Sequence, residues 1–170
     1  SSTSPQHVLN DFGEKVKVIL DGGKSDMGLE STVLDLTSHK ARILRHGMIS
    51  SESIAALIGE IDDPGVPGVV LDQRMSPGQL EKHYAPSLPV RMNVTEVKEG
   101  EALIGFGNTK NAIGDLSKDG NLNQAARNLF AVLREFDDPA QFTSIAFTPI
   151  PCVGVGKAIN DRLRKASKGR

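Results

Sequence analysis

The chain has 170 residues, of which 38% are hydrophobic and 24% charged, and its formal net charge is -1. That balance describes one or two folded domains and excludes a general attraction to nucleic acid or lipid headgroups, leaving only local basic patches. Cys152 has no second thiol to pair with, no apolar run approaches the ~20 residues of a bilayer span, and SSTSPQHV lacks the basic-then-apolar pattern of a signal peptide, so a cytoplasmic location is expected.

In chain order, SPQHVLNDFG predicts a short helix capped by Ser4, with Pro5 in its first turn and Gly13 as its stop. KVKVILDGG (residues 15–23) alternates polar and apolar residues as a strand does; STVLDLT and ARILR predict two more strands joined by the turn SHK. ISSESIAALIGEI predicts a helix capped by Ser50 or Ser51, with Ile54, Leu57, Ile58 and Ile61 facing a core. Five prolines then fall at Pro64, Pro67, Pro77, Pro86 and Pro89, a density that regular structure tolerates poorly. From residue 89 the alternation resumes: PVRMNV, EALIGFG and SIAFTPIP as strands, NLNQAARNLFAVLREFDD and GVGKAINDRLRKAS as helices. Leu122, Ala126, Leu129, Phe130 and Leu133 share one face of the longer helix.

Several short stretches can carry chemistry. In DMGLESTVLDLT, Ser31 and Thr32 stand where a loop enters a strand and could offer hydroxyl and backbone donors to a carboxylate or phosphate; both are also ordinary turn residues. ILRHG ends a strand with Arg45, whose fork of donors suits phosphate, although a solvated arginine is the commoner outcome. The glycines before Lys157 do not make a phosphate loop, since Ala158 stands where a hydroxyl is required. His7, His39, His46 and His83 lack metal-ligand spacing, and no GxSxG elbow is present. SPGQLEKHYAP places the only tyrosine, Tyr84, beside His83 in the proline-rich stretch.

Taken together, ILDGG, GLESTVLDLT, ILRHG and SPGQLEKHYAP resemble, in order and spacing, the long form of the L-threonylcarbamoyladenylate synthases, and the likeness continues through ALIGFG, NLNQAARNLFAVLRE and GVGKAINDRL. The resemblance implies an α/β protein. Residues 1–62 would be the incomplete C-terminal part of a YrdC-like catalytic domain, 63–88 a proline-rich linker with a lid motif, and 89–170 a small Rossmann-like layered α/β domain. The implied activity joins L-threonine, bicarbonate or CO2 and ATP, with Mg2+ carried on the nucleotide, into threonylcarbamoyl-AMP and pyrophosphate for threonylcarbamoyladenosine modification of tRNA by downstream transfer machinery. Direct contact with tRNA is left open, and no membrane or protein-held metal is implied.

Carried over by position, Thr3, Arg45 and Tyr84 are expected at ATP, Ser31 at L-threonine, and His83 in support of the lid; no catalytic residue is assigned. Tyr84 could instead be an anchor that docks the linker to a domain. Two departures stand out: His46 occupies the family's usual proline position, and the KRP-like and SAN segments would lie before Ser1. The chain is therefore expected to be the C-terminal half or so of a synthase, inactive alone. The alternative is a non-catalytic binding or regulatory module of the tRNA-modification pathway.

Overall fold

The computed structural model describes residues 1–63, 65 and 84–169. Most of the proline-rich stretch, including His83 and the body of the lid motif, lies outside the described residues. Helix α1 (Pro5–Phe12) starts as expected, with Ser4 accepting a hydrogen bond from the His7 amide and Gly13 ending it at φ 50°. A 3-10 turn, Gly13–Lys15, follows.

Residues 16–23 form no strand, against the expectation from KVKVILDGG: Val18 and Leu20 are 72% and 90% exposed. Alternation marks a strand only where a partner completes the ladder and a second layer covers the apolar face; among the described residues neither is present. Strands β1 (Val33–Asp35) and β2 (Arg42–Arg45) do pair, antiparallel, with Val33 opposite Arg45. Helix α2 (Ser51–Ile58) is capped by Ser50, yet its expected core face is open, because Leu57 is 87% and Ile58 55% exposed. Spacing told the helix correctly; what covers it was not encoded in the spacing.

The rest of the chain builds one parallel sheet from β3 (Val90–Arg91), β4 (Glu101–Phe106), β5 (Gly114–Ser117) and β6 (Ser144–Phe147), in the order β3-β6-β4-β5. Helices α3 (Leu122–Glu135) and α4 (Gly156–Ser167) pack on one face, where Ile104, Leu116, Leu129, Phe130, Ile145, Phe147, Ile159 and Leu163 are buried together. Val94, Leu103 and Ala146 form a small cluster of their own. The alternation along β6, with Ile145 and Phe147 in one cluster and Ala146 in the other, is the period of a strand. Every residue of the expected α3 face is buried except Leu122, which is partly so. Strand β5 was not anticipated; a GDLS sequence has little strand propensity, and its pairing with β4 and packing on α3 supply what the sequence lacks.

The first segment is seated on this layer. Leu29 joins the main core, Arg127 of α3 donates to the Asp26 carbonyl at 2.8 Å, and Arg134 pairs with Asp11 through both terminal nitrogens. Gly28, at φ 74°, lies so close to α3 that a Cβ there would stand 2.4 Å from the Arg127 Cα. At the other end of α3, both carboxylate oxygens of Asp137 accept backbone amides, from Ser87 and Leu88 at 2.8 Å each, fixing the chain as it returns to the sheet. Cys152 is exposed. Among the described residues, no helix is long and apolar enough to cross a membrane.

Candidate functional site

The loop before β1 and the turn after β2 meet at Gly47. A Cβ on Gly47 would lie 2.3 Å from the Thr32 nitrogen and 2.4 Å from the Glu30 carbonyl oxygen, so only glycine lets the two backbones touch. The Thr32 hydroxyl closes the junction by donating to the Ile49 carbonyl at 2.5 Å. Strand β2 thus delivers Arg45 to Ser31: Nε donates to the Ser31 carbonyl at 3.1 Å and Nη2 to its hydroxyl at 3.3 Å. Two residues singled out from separate motifs therefore share one corner, a half-buried guanidinium beside an exposed hydroxyl.

Behind Ser31 the adjoining Glu30 is tied to α4. Arg162, with no exposed surface, donates from Nε to the Glu30 carboxylate at 3.1 Å, holds Nη2 3.0 Å from the same oxygen, and bonds Asp161 through Nη1 at 3.0 Å. The Ser1 hydroxyl also donates to Glu30. Burial works to raise the Glu30 pKa, but the Ser1 hydrogen bond and the Arg162 charge outweigh it and hold the carboxyl below its usual range.

Tyr84 sits at φ 64°, in left-handed backbone unusual for an aromatic residue. Its ring lies 5.4 Å from that of Phe130 on α3 and 5.5 Å from the Arg162 guanidinium carbon. Burial first, and the Glu30 carboxylate with it, push the phenol up to about 12, while Arg162 and Arg45 pull the other way. At neutral pH the ring is a neutral hydrogen-bond donor held against both C-terminal helices. Thr3 stands apart: its amide and hydroxyl face the His7 Nδ1 at 3.1 and 3.2 Å, and its carbonyl accepts from Ser25.

A second junction joins α4 to the first segment. Lys157 donates to Ser51 and Asp63 at 2.8 Å each and pairs with Glu52 at 2.7 Å, while His46 Nε2 is 3.1 Å from Asp63. Burial opposes ionisation of Asp63, yet Lys157, Ser51 and the Gly65 amide lower its pKa to about 2. A carboxylate depressed on folding contributes stability that is complete above its unfolded pKa, 3.8, and disappears as pH falls through about 2. Asp63→Asn should therefore lower the melting temperature at neutral pH and show a smaller loss than wild type when pH is taken from about 4 to about 2; parallel melting curves across that range would discount the junction.

Sequence reasoning missed Glu30 and Arg162. The latter carried a signal: in α4 it occupies the same stripe as Ala158, Ile159, Leu163 and Ala166, so a charge stood in the apolar face. Among the described residues no group of three or more His, Cys, Asp or Glu is placed to hold a metal. A polar cleft of about 450 Å³, bordered by Val94, Glu96, Thr109, Lys110 and Thr148, lies beside the carboxyl ends of β4 and β6 and includes none of the expected site residues.

Comparison with known proteins finds two family matches along the chain. The family described as threonylcarbamoyl-AMP synthase, C-terminal domain, matches residues 49–168, and a family described as telomere recombination matches residues 1–47. The threonylcarbamoyl-AMP synthase of Pyrococcus abyssi is 36% identical over 98% of this chain and 54% of its own length; that of Bacillus subtilis is 33% identical over 100% and 54%. The crystal structure of P. abyssi Sua5 complexed with L-threonine superposes with a TM-score of 0.83, at 34% identity, covering 99% of this chain and 54% of that one. A variant of the same protein with an adjacent histidine and tyrosine replaced by alanine gives 0.81 at 33% identity, covering 99% and 53%. The chain thus spans about half the length of these relatives. With one family model matched over residues 49–168 and a second over the preceding segment, the chain belongs to the Sua5/YrdC-like threonylcarbamoyl-AMP synthase family.

Proposed function

We propose that the chain is the C-terminal part of an enzyme that makes threonylcarbamoyl-AMP from L-threonine, bicarbonate or CO2 and ATP, supplying the tRNA threonylcarbamoyl-transfer machinery. The observation that carries the reading is the corner of Ser31 and Arg45, in a chain that matches synthases from end to end. In this reading the threonine amine attacks CO2 to form the carbamate N–C bond; a carbamate oxygen then attacks the α-phosphorus, and the bond to the β-phosphate breaks to release pyrophosphate. Such steps need alignment and charge neutralisation more than covalent help. Magnesium carried on the nucleotide would neutralise phosphate oxygens.

Ser31 takes the L-threonine role, since an exposed hydroxyl next to a fixed guanidinium suits an amino-acid carboxylate. Arg45 and Thr3 take the ATP roles, Arg45 by its charge. Tyr84 keeps its nucleotide role within a strap whose anchor is its own ring, and His83 supports that strap. The chain divides, on this reading, into catalytic-domain residues 1–62, linker 63–88 and a Rossmann-like unit 89–170.

The test is pyrophosphate release from ATP, L-threonine and bicarbonate by the full-length polypeptide that contains this chain. Arg45→Ala should lower turnover by about 100-fold, the usual cost of removing a preorganised donor from developing charge. Wild-type kinetics would return Arg45 to the surface, and absence of release from wild type would leave a binding module as the better reading.

A further inference from the structure

Asp26–Glu30 is gripped by both C-terminal helices before the backbone emerges at Ser31. On α3, Arg127 holds the Asp26 carbonyl and the helix backbone admits only a glycine at position 28. On α4, the wholly buried Arg162 donates to the Glu30 carboxylate through Nε and keeps Nη2 within ion-pair distance of the same oxygen. Ser31 is the first exposed residue after that grip, and its hydroxyl accepts from Arg45 at 3.3 Å. The Tyr84 ring packs beside the Arg162 guanidinium, so Tyr84 and the loop converge on one side chain of the C-terminal unit.

We propose that Arg162 is a positioning residue for L-threonine: by fixing Glu30 it fixes the loop that presents Ser31, and so the C-terminal unit sets the affinity of a site to which it contributes no contact. This rests on the reading of Ser31 as an L-threonine contact. A merely structural arginine would, when replaced, weaken all substrates alike or none. A positioning arginine acts on the substrate held by the loop, because a displacement of about 1 Å at a distance from the chemistry is enough to cost up to 100-fold.

The experiment compares the full-length wild type with Arg162→Met, Arg162→Lys and Glu30→Gln, reading the KM of each substrate and amide hydrogen exchange without ligand. Arg162→Met and Glu30→Gln should raise the KM for L-threonine about tenfold with the KM for ATP changed less than about twofold. Arg162→Lys should fall between, since lysine restores the charge without the fork. Exchange should quicken at residues 29–32 and stay unchanged in β4 and β6. If Arg162→Met does not fold, Glu30→Gln carries the test, because its side chain is partly exposed and shape is kept. Folded variants with an unaltered KM for L-threonine, or unaltered exchange at residues 29–32, overturn the proposal. A wild type that releases no pyrophosphate defeats the functional reading instead, and the exchange comparison still decides whether Arg162 governs the loop.

Discussion

Phe130→Ala is expected to lower the unfolding free energy by about 3–5 kcal/mol, the usual cost of truncating a buried phenylalanine. Phe130 is only 3% exposed, lies on the inner face of α3, and packs within the main core as well as against the Tyr84 ring. Its loss therefore opens a cavity on one side and removes the floor beneath the Tyr84 ring on the other. Urea unfolding measures the first effect. The second has its own readout, the phenol absorbance of Tyr84, taken as the difference between each protein and the same protein carrying Tyr84→Phe. Wild type should titrate at about 12; in Phe130→Ala, where water reaches the ring, the midpoint should fall back toward the ordinary 10.0. A full loss of stability with an unmoved phenol would mean that Arg162 and Glu30 suffice to seat the Tyr84 ring.

Gly47→Ala should be the most damaging small substitution near the site. The added methyl meets backbone atoms of Glu30, Ser31 and Thr32 within 2.4 Å, and backbone cannot swing aside as a side-chain end can. Overpacking of this kind costs about 1–3 kcal/mol, and it acts where strand β2 hands Arg45 to Ser31. The two segments should part, breaking both hydrogen bonds between those residues and lowering turnover of the full-length enzyme with it. Gly22→Ala, which meets nothing within 4 Å, is the matched control. Equal stability and turnover in the two variants would show that the loop yields without consequence.

Much of the architecture was legible, and the reasons for the exceptions are physical. Helix α3 follows from a five-residue apolar stripe, α1 and α2 from their serine caps, and β1, β2, β4 and β6 from runs bounded by turn residues. Residues 16–23 alternate correctly yet form no strand, because a ladder is made by two segments and a sequence window contains one. Strand β5 exists for the converse reason: its partner and the helix above it outweigh its own weak preference. At the site, Ser31 before β1 and Arg45 at the end of β2 stand out by position, but their expected roles come from the family resemblance, since turn serines and solvated arginines are the ordinary outcome at such places. Arg162 belongs to a helix about 130 residues from Glu30 in sequence, and no local pattern pairs them. The charge within its apolar stripe hinted at burial without saying against what.

The parallel sheet is bordered by β3, two residues long, and β5, four residues long. Rims so brief expose few unpaired amides and carbonyls, and β5 adds a glycine and an aspartate that resist extension of the ladder. Among the described residues, cross-chain strand recruitment therefore finds little template on either flank of this sheet, so its edges should contribute less to aggregation than those of a longer-rimmed sheet.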